Sequence, residues 1–181
     1  WPSQSELQSK NTEKFSMKRK RFDLLRLVAE LDSDMSILED LAKKNRRAHQ
    51  RIGGGRAEEL DWAALGYTIH NIYNLLESYF LRISKFFENS LDPLSCHREL
   101  IRHMTLDIEG VRPPLLDRRL AARIDELRSF RHVFRNIYQT ELDPKRVELV
   151  QQSLDSTLST FKKAHTEFIK KAKAVTEQVE E

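Results

Sequence analysis

The segment Leu127-Arg128-Ser129-Phe130-Arg131-His132-Val133-Phe134-Arg135-Asn136-Ile137-Tyr138 carries three guanidinia, one imidazole, an amide and a phenol within a dozen residues. Advanced at about 100° per residue, Phe130, Val133, Phe134 and Ile137 form an apolar stripe, and Arg128, Arg131, His132 and Arg135 share the opposite arc, flanked by Asn136 and Tyr138. Guanidinium forks match phosphate oxygens two at a time, and an imidazole can move a proton near neutral pH. The set could therefore hold a phosphodiester and act on it. After Glu126 no acid follows until Glu141, so these arginines are expected to lack ion-pair partners on their own helix and to be available to an external anion. Charge alone fits a solvated helix face equally well.

The same bias extends further back. From Arg112 to Arg135 the chain has seven arginines (Arg112, Arg118, Arg119, Arg123, Arg128, Arg131, Arg135) against Asp117, Asp125 and Glu126, and no lysine. The net charge of the whole chain is only +3, so nucleic-acid binding cannot be argued from overall charge and depends on where the charges sit.

These residues need a frame, and composition says which kind. The 181 residues suit one domain. Five glycines and five prolines are too few for a turn-rich all-β fold, and 33% charged against 39% hydrophobic residues suits helices with one wet face. Apolar residues recur at helical spacing in Leu24, Val28, Leu31, Met35, Leu38 and Ala42, up to a breaker at Gly53-Gly54-Gly55. That glycine run lacks the ending of a phosphate loop. A stronger stripe follows in Trp62, Leu65, Ile69, Ile72, Leu76, Phe80, Ile83 and Phe87. Asp92-Pro93 breaks the chain, and Ser95 can cap a short helix with Leu100, Ile101 and Met104 that ends before Gly110 and Pro113-Pro114. Asp117 can cap a fourth helix, running to Asp143-Pro144. A fifth carries Val147, Val150, Leu154, Leu158, Phe161, Phe168 and Val175. The pattern predicts an all-α antiparallel bundle of four long helices and one short helix.

Residues 1–16 are polar and aperiodic and read as an N-terminal extension or expression remnant, with a single domain over 17–181. No apolar run follows the basic cluster Lys18-Arg19-Lys20-Arg21, so no secretory signal or membrane span is expected. One cysteine, Cys96, allows no internal disulfide and fits a reducing cytoplasm.

Several segments together resemble the HepT-like HEPN ribonucleases. The helix Arg131-His132-Val133-Phe134-Arg135-Asn136-Ile137-Tyr138 is similar to the family signature of Arg, four residues, His, one residue, Tyr. The supporting context is Ile69-His70-Asn71-Ile72-Tyr73-Asn74-Leu75-Leu76-Glu77, His97-Arg98-Glu99-Leu100-Ile101 and Gly110-Val111-Arg112-Pro113-Pro114, and the resemblance runs from about Met17 to Lys171. It implies a HEPN bundle and a toxin that cleaves RNA, tRNA among the substrates, without a metal or cofactor, leaving a cyclic phosphate. It assigns the scissile phosphate to Arg131, and Arg128 and Arg135 on the same basic face are expected to support it. Tyr138 falls at the position that accepts AMP from a minimal nucleotidyltransferase antitoxin of the MntA kind. A homodimer with facing signature helices is implied as well.

One residue departs from the signature: Asn136 stands where the family has its catalytic His. An amide has no proton equilibrium near neutral pH and cannot serve as a general base. Three explanations fit: a degenerate, non-cleaving member; a deliberate replacement that makes a toxic protein expressible; or substitution by His132, one turn earlier. The resemblance therefore implies an impaired ribonuclease or, alternatively, a non-catalytic module that binds RNA or a nucleotidyltransferase. A helical interaction protein whose Arg face meets an acidic protein surface is a third reading.

The other candidates are weaker. His97 and His103 are six apart and do not share the i, i+4 face of a helical metal site, so no metal is expected even with Cys96 between the helices. His165 reads as a packed histidine, and His49 sits in a basic helix end that complements the dipole. Tyr73 and Glu77, one turn apart, are expected to form a polar insert near the signature helix.

Overall fold

The computed structural model describes the backbone of residues 4–88, 97–135 and 142–178, and side chains from 20 to 174 within those stretches. Among the described residues five helices follow in order: α1 (Gln4–Ile52), α2 (Glu59–Glu88), α3 (His97–His103), α4 (Arg118–Arg135) and α5 (Pro144–Gln178). Four long helices and one short one pack as an all-α bundle, as the spacing predicts.

Cross-helix contacts fix the directions. Arg51 meets Asp61, Asn45 meets Thr68 and Asp34 meets Arg82, so α1 and α2 run antiparallel. Asn45 with Gln151 and Asp32 with His165 set α1 against α5 in the same way. The ring of Phe134 lies by His70 while Arg131 reaches Glu77, which makes α4 antiparallel to α2.

The helix starts follow local chemistry. Asp117 Oδ1 accepts from the Leu120 amide at 2.7 Å, and Asp143 Oδ1 from the Lys145 amide at 3.0 Å with Pro144 at the first helical position, so both acidic caps act as expected. The glycine run ends α1, and Gly55 takes a left-handed φ of 75°. The helix itself begins twenty residues before the first core position, Leu24, at Gln4. Nothing between Ser3 and Ile52 is Gly or Pro, so no residue stops a helix whose apolar stripe has not yet begun. Ser95, Cys96, Asp92 and Pro93 lie outside the described residues.

The core is built from the expected stripes. Leu24, Leu31, Leu38, Leu65, Ile69, Ile72, Leu76, Phe80, Ile83, Leu120, Ile124, Leu127, Phe130, Val147, Leu154, Phe161 and Phe168 are buried, as are Leu100, Ile101 and Met104 of the short helix. Trp62, Phe87, Phe134 and Val150 pack against it from the rim. Two polar devices tie helices together through this core. Asn45 and Gln151 exchange amide hydrogen bonds at 2.9 and 2.8 Å, and His165 bridges the Tyr79 hydroxyl (2.8 Å) and Asp32 (3.0 Å), the packed role expected for it. Among the described residues no helix is long and apolar enough to cross a membrane.

Candidate functional site: a charged hub between the second and fourth helices

Arg131 does not project into solvent. Its side chain is 16% exposed, and Nη1 donates to Glu77 Oε1 at 3.2 Å across the α2–α4 interface. The guanidinium carbon sits 5.6 Å from the centroid of the Tyr73 ring, a cation–π arrangement. The Tyr73 hydroxyl donates to the same Glu77 oxygen at 3.4 Å. From α3, His97 Nδ1 comes within ion-pair distance of the same Glu77 oxygen. One carboxylate oxygen thus collects a guanidinium, an imidazole and a phenol, and Glu77 is the fixed point of the site. The polar insert expected from Tyr73 and Glu77 is present, and it faces the signature helix.

Deeper along α2, the Asn74 amide donates to His70 Nε2 at 2.9 Å, and the His70 ring lies 5.5 Å from that of Phe134. Burial lowers the His70 pKa below the usual imidazole value, and the charges of Arg131 and Arg135 lower it further. Tyr73 is pushed the other way. Burial raises its hydroxyl pKa well above that of a free phenol, and the Glu77 carboxylate adds to the shift. The site therefore disfavours the charged forms of His70 and Tyr73.

Among the described residues, three buried polar atoms here have no hydrogen-bond partner: His70 Nδ1, Asn74 Oδ1 and Arg131 Nε. Native proteins seldom leave such atoms unsatisfied, because each costs roughly 1–3 kcal/mol. All three lie where α2 faces α4.

The arginines are less available than their helix alone suggests. Arg128 Nε donates to Asp125 Oδ1 at 2.6 Å, one turn back, and Arg131 is paired through Glu77 of another helix. The expectation of arginines without acidic partners is corrected on both counts: it considered only acids that follow on the same helix. Arg112 leaves the basic face altogether. It is 1% exposed, and its guanidinium donates to Glu88 Oε1 at 2.6 and 3.1 Å and to the carbonyls of His103 and Leu106 at 2.7 and 3.2 Å. It fastens the 104–117 connection to the end of α2, beside the turn closed by Ile108 and Arg112 with Gly110 at φ 72°. Arg123 donates to Ser156 of α5. His132 and Arg135 are exposed. Asn136 and Tyr138 lie outside the described residues, as does the expected continuation of α4 over 136–141, and Leu142 and Asp143 are not helical.

Sequence reading underweighted two residues, His70 and Asn74. With Tyr73 and Glu77 they stand at i, i+3, i+4 and i+7, a polar stripe on a helix whose other face is apolar, and that spacing was a usable signal. His97 joins the site through tertiary packing and carried no such mark. Among the described residues, no group of three His, Cys, Asp or Glu side chains could hold a metal ion.

An all-helical bundle with an Arg–Glu–His hub between its central helix and a basic fourth helix is the class of protein that these features define. Residues 64–172 match the family model described as HepT-like protein, well over half of the chain and all of the hub. The chain belongs to the HepT-like family. No match was found among curated proteins or among solved structures.

Proposed function

We propose that this chain is the toxin-type member of a toxin–antitoxin pair, a metal-independent HEPN endoribonuclease whose cleavage is impaired because Asn136 occupies the position of the signature His. The observation that carries this reading is the placement of Arg131. A solvated arginine would extend into water, whereas this one is held by Glu77 and Tyr73, with its own Nε and two nearby polar atoms, His70 Nδ1 and Asn74 Oδ1, lacking partners among the described residues. A guanidinium fixed in advance loses little entropy on meeting a phosphate, and that is how a site stabilises charge developing on phosphorus. Arg128 and Arg135 support the strand on either side, and His132 is the imidazole adjacent to Arg131 in the chain.

The family reading extends to partners. A minimal nucleotidyltransferase antitoxin of the MntA kind transfers AMP to Tyr138. The added phosphate would lie three residues along the chain from Arg135 and compete with RNA for the basic face. A cytoplasmic homodimer brings two such faces together, and RNA offsets their repulsion.

The deciding experiment is cleavage of total tRNA in EDTA by the protein and by Asn136→His, with Arg131→Ala in the His background as control. Strong cleavage by the His variant, abolished by Arg131→Ala, is the expected result. If no RNA is cut by any version, the enzyme reading fails, and the non-catalytic binding module, which the Asn136 amide favours, takes its place. Intact mass after co-expression with a neighbouring nucleotidyltransferase tests the Tyr138 assignment.

A further inference from the structure

The bundle brings the imidazole of His97 to the carboxylate oxygen that holds Arg131. Its Nδ1 is in ion-pair contact with Glu77 Oε1, the oxygen that accepts from Arg131 Nη1 at 3.2 Å and from Tyr73 at 3.4 Å. A carboxylate beside Nδ1 favours the proton on that nitrogen and leaves Nε2 as the basic one. The exposures differ in a telling way. Glu77 is 11% exposed and His97 is 56% exposed, so the orienting group is shielded while the imidazole can be reached from solvent. His132 follows Arg131 directly, but neighbours on a helix diverge by about 100°. Arg131 turns inward to α2, and His132 faces outward.

A shielded carboxylate, an imidazole oriented by it and a guanidinium on the same oxygen are the parts needed to deprotonate a hydroxyl beside a phosphodiester. We propose that His97, positioned by Glu77, is a general base of this site and supplies the proton-transfer group that Asn136 cannot. The inference rests on the ribonuclease reading above. In the step, His97 Nε2 takes the proton of the ribose 2′-hydroxyl as that oxygen attacks the adjacent phosphorus. The P–O2′ bond forms and the P–O5′ bond breaks. The departing 5′-oxygen receives a proton from the imidazolium through water, so His97 returns to its neutral state. The products are a 2′,3′-cyclic phosphate and a 5′-hydroxyl, and Arg131 offsets the charge that builds on the phosphoryl oxygens.

The test uses the full chain, total tRNA and a mixed-sequence single-stranded RNA, all in EDTA. The protein as written is expected to cut slowly, leaving cyclic phosphate ends. His97→Ala is expected to lower that rate about a hundredfold, with partial recovery when free imidazole is added, a recovery that a purely structural role would not give. Glu77→Gln, which keeps a hydrogen-bond acceptor but removes the charge, is expected to lower kcat about tenfold with KM little changed. If Asn136→His cuts and the protein as written does not, the ribonuclease reading stands and the role of His97 is overturned. An unchanged rate in His97→Ala, or a loss that imidazole does not recover, overturns it too. If neither protein cuts, both readings fall together.

Discussion

Gly66 and Phe134 share one space between α2 and α4: a β-carbon on Gly66 would stand 2.7 Å from Phe134 Cε2 and 3.1 Å from Cδ2. The ring cannot easily yield, because it stacks on Phe130 at 5.9 Å and lies against His70. The missing side chain of Gly66 lets the last turns of α4 approach α2 closely enough for Arg131 to reach Glu77.

Gly66→Ala is therefore expected to lower stability by about 1–3 kcal/mol, even though Ala is the better helix former by roughly 1 kcal/mol. The clash is specific, so Phe134→Ala combined with Gly66→Ala should cost less than the sum of the two single changes. Urea unfolding of the four proteins measures the coupling, and strict additivity would show that the ring is not what Gly66 accommodates.

Arg112 and Glu88 give a second expectation, in pH. Burial works to raise the Glu88 carboxyl pKa, but the hydrogen bonds and charge of Arg112, helped by Ser84 and His103, outweigh it and hold the group below the ordinary carboxylate value. A carboxyl with a depressed folded pKa contributes stability that is complete above its unfolded value, about 4.3, and is lost as pH falls through the folded one. Glu88→Gln should be less stable at neutral pH, because it leaves Arg112 buried without its charge partner, and its stability should fall less steeply below about pH 4.3. Parallel acid limbs for the two proteins would contradict this.

These two sites show what the sequence could and could not reveal. The apolar stripes at Leu24 to Ala42 and Leu65 to Ile83, the Asp117 and Asp143 caps and the glycine breaker were legible because each depends on neighbours within a turn or two. The fate of Arg112 was not. It sits in an arginine-rich run, and only the fold of the 104–117 connection delivers it to Glu88, twenty-four residues earlier. The candidate site divides in the same way. Tyr73 with Glu77 is a local spacing, whereas the convergence of His97, Glu77 and Arg131 comes from three helices and leaves no periodic trace.

The amides of Asn45 and Gln151 face each other in the core with both hydrogen bonds formed, and Asn45 also donates to Thr68 at 2.9 Å. Either amide alone would be left buried without its partner. Asn45→Ala and Gln151→Ala should each cost about 1–3 kcal/mol, and Asn45→Leu with Gln151→Leu should cost less than the two alanine changes together. Thermal melts at fixed protein concentration decide it. A double variant as unstable as the sum would mean that the pair sets helix register and does more than satisfy its own groups.

Arg131 and Arg135 should differ in how they contribute to RNA affinity. Releasing counterions from RNA requires positive charge that is not already neutralised, and Arg131 is paired with Glu77 in a partly shielded site whereas Arg135 is exposed. Arg135→Ala should flatten the dependence of log affinity on log salt by about 0.7 for single-stranded RNA. Arg131→Ala should leave that slope nearly unchanged while abolishing cleavage in the Asn136→His background. Binding titrations at several salt concentrations make the comparison. A slope change for Arg131→Ala as large as that for Arg135→Ala would mean that RNA displaces Glu77 from the guanidinium and takes its full charge. Equal slopes in all three proteins would place the RNA path away from α4.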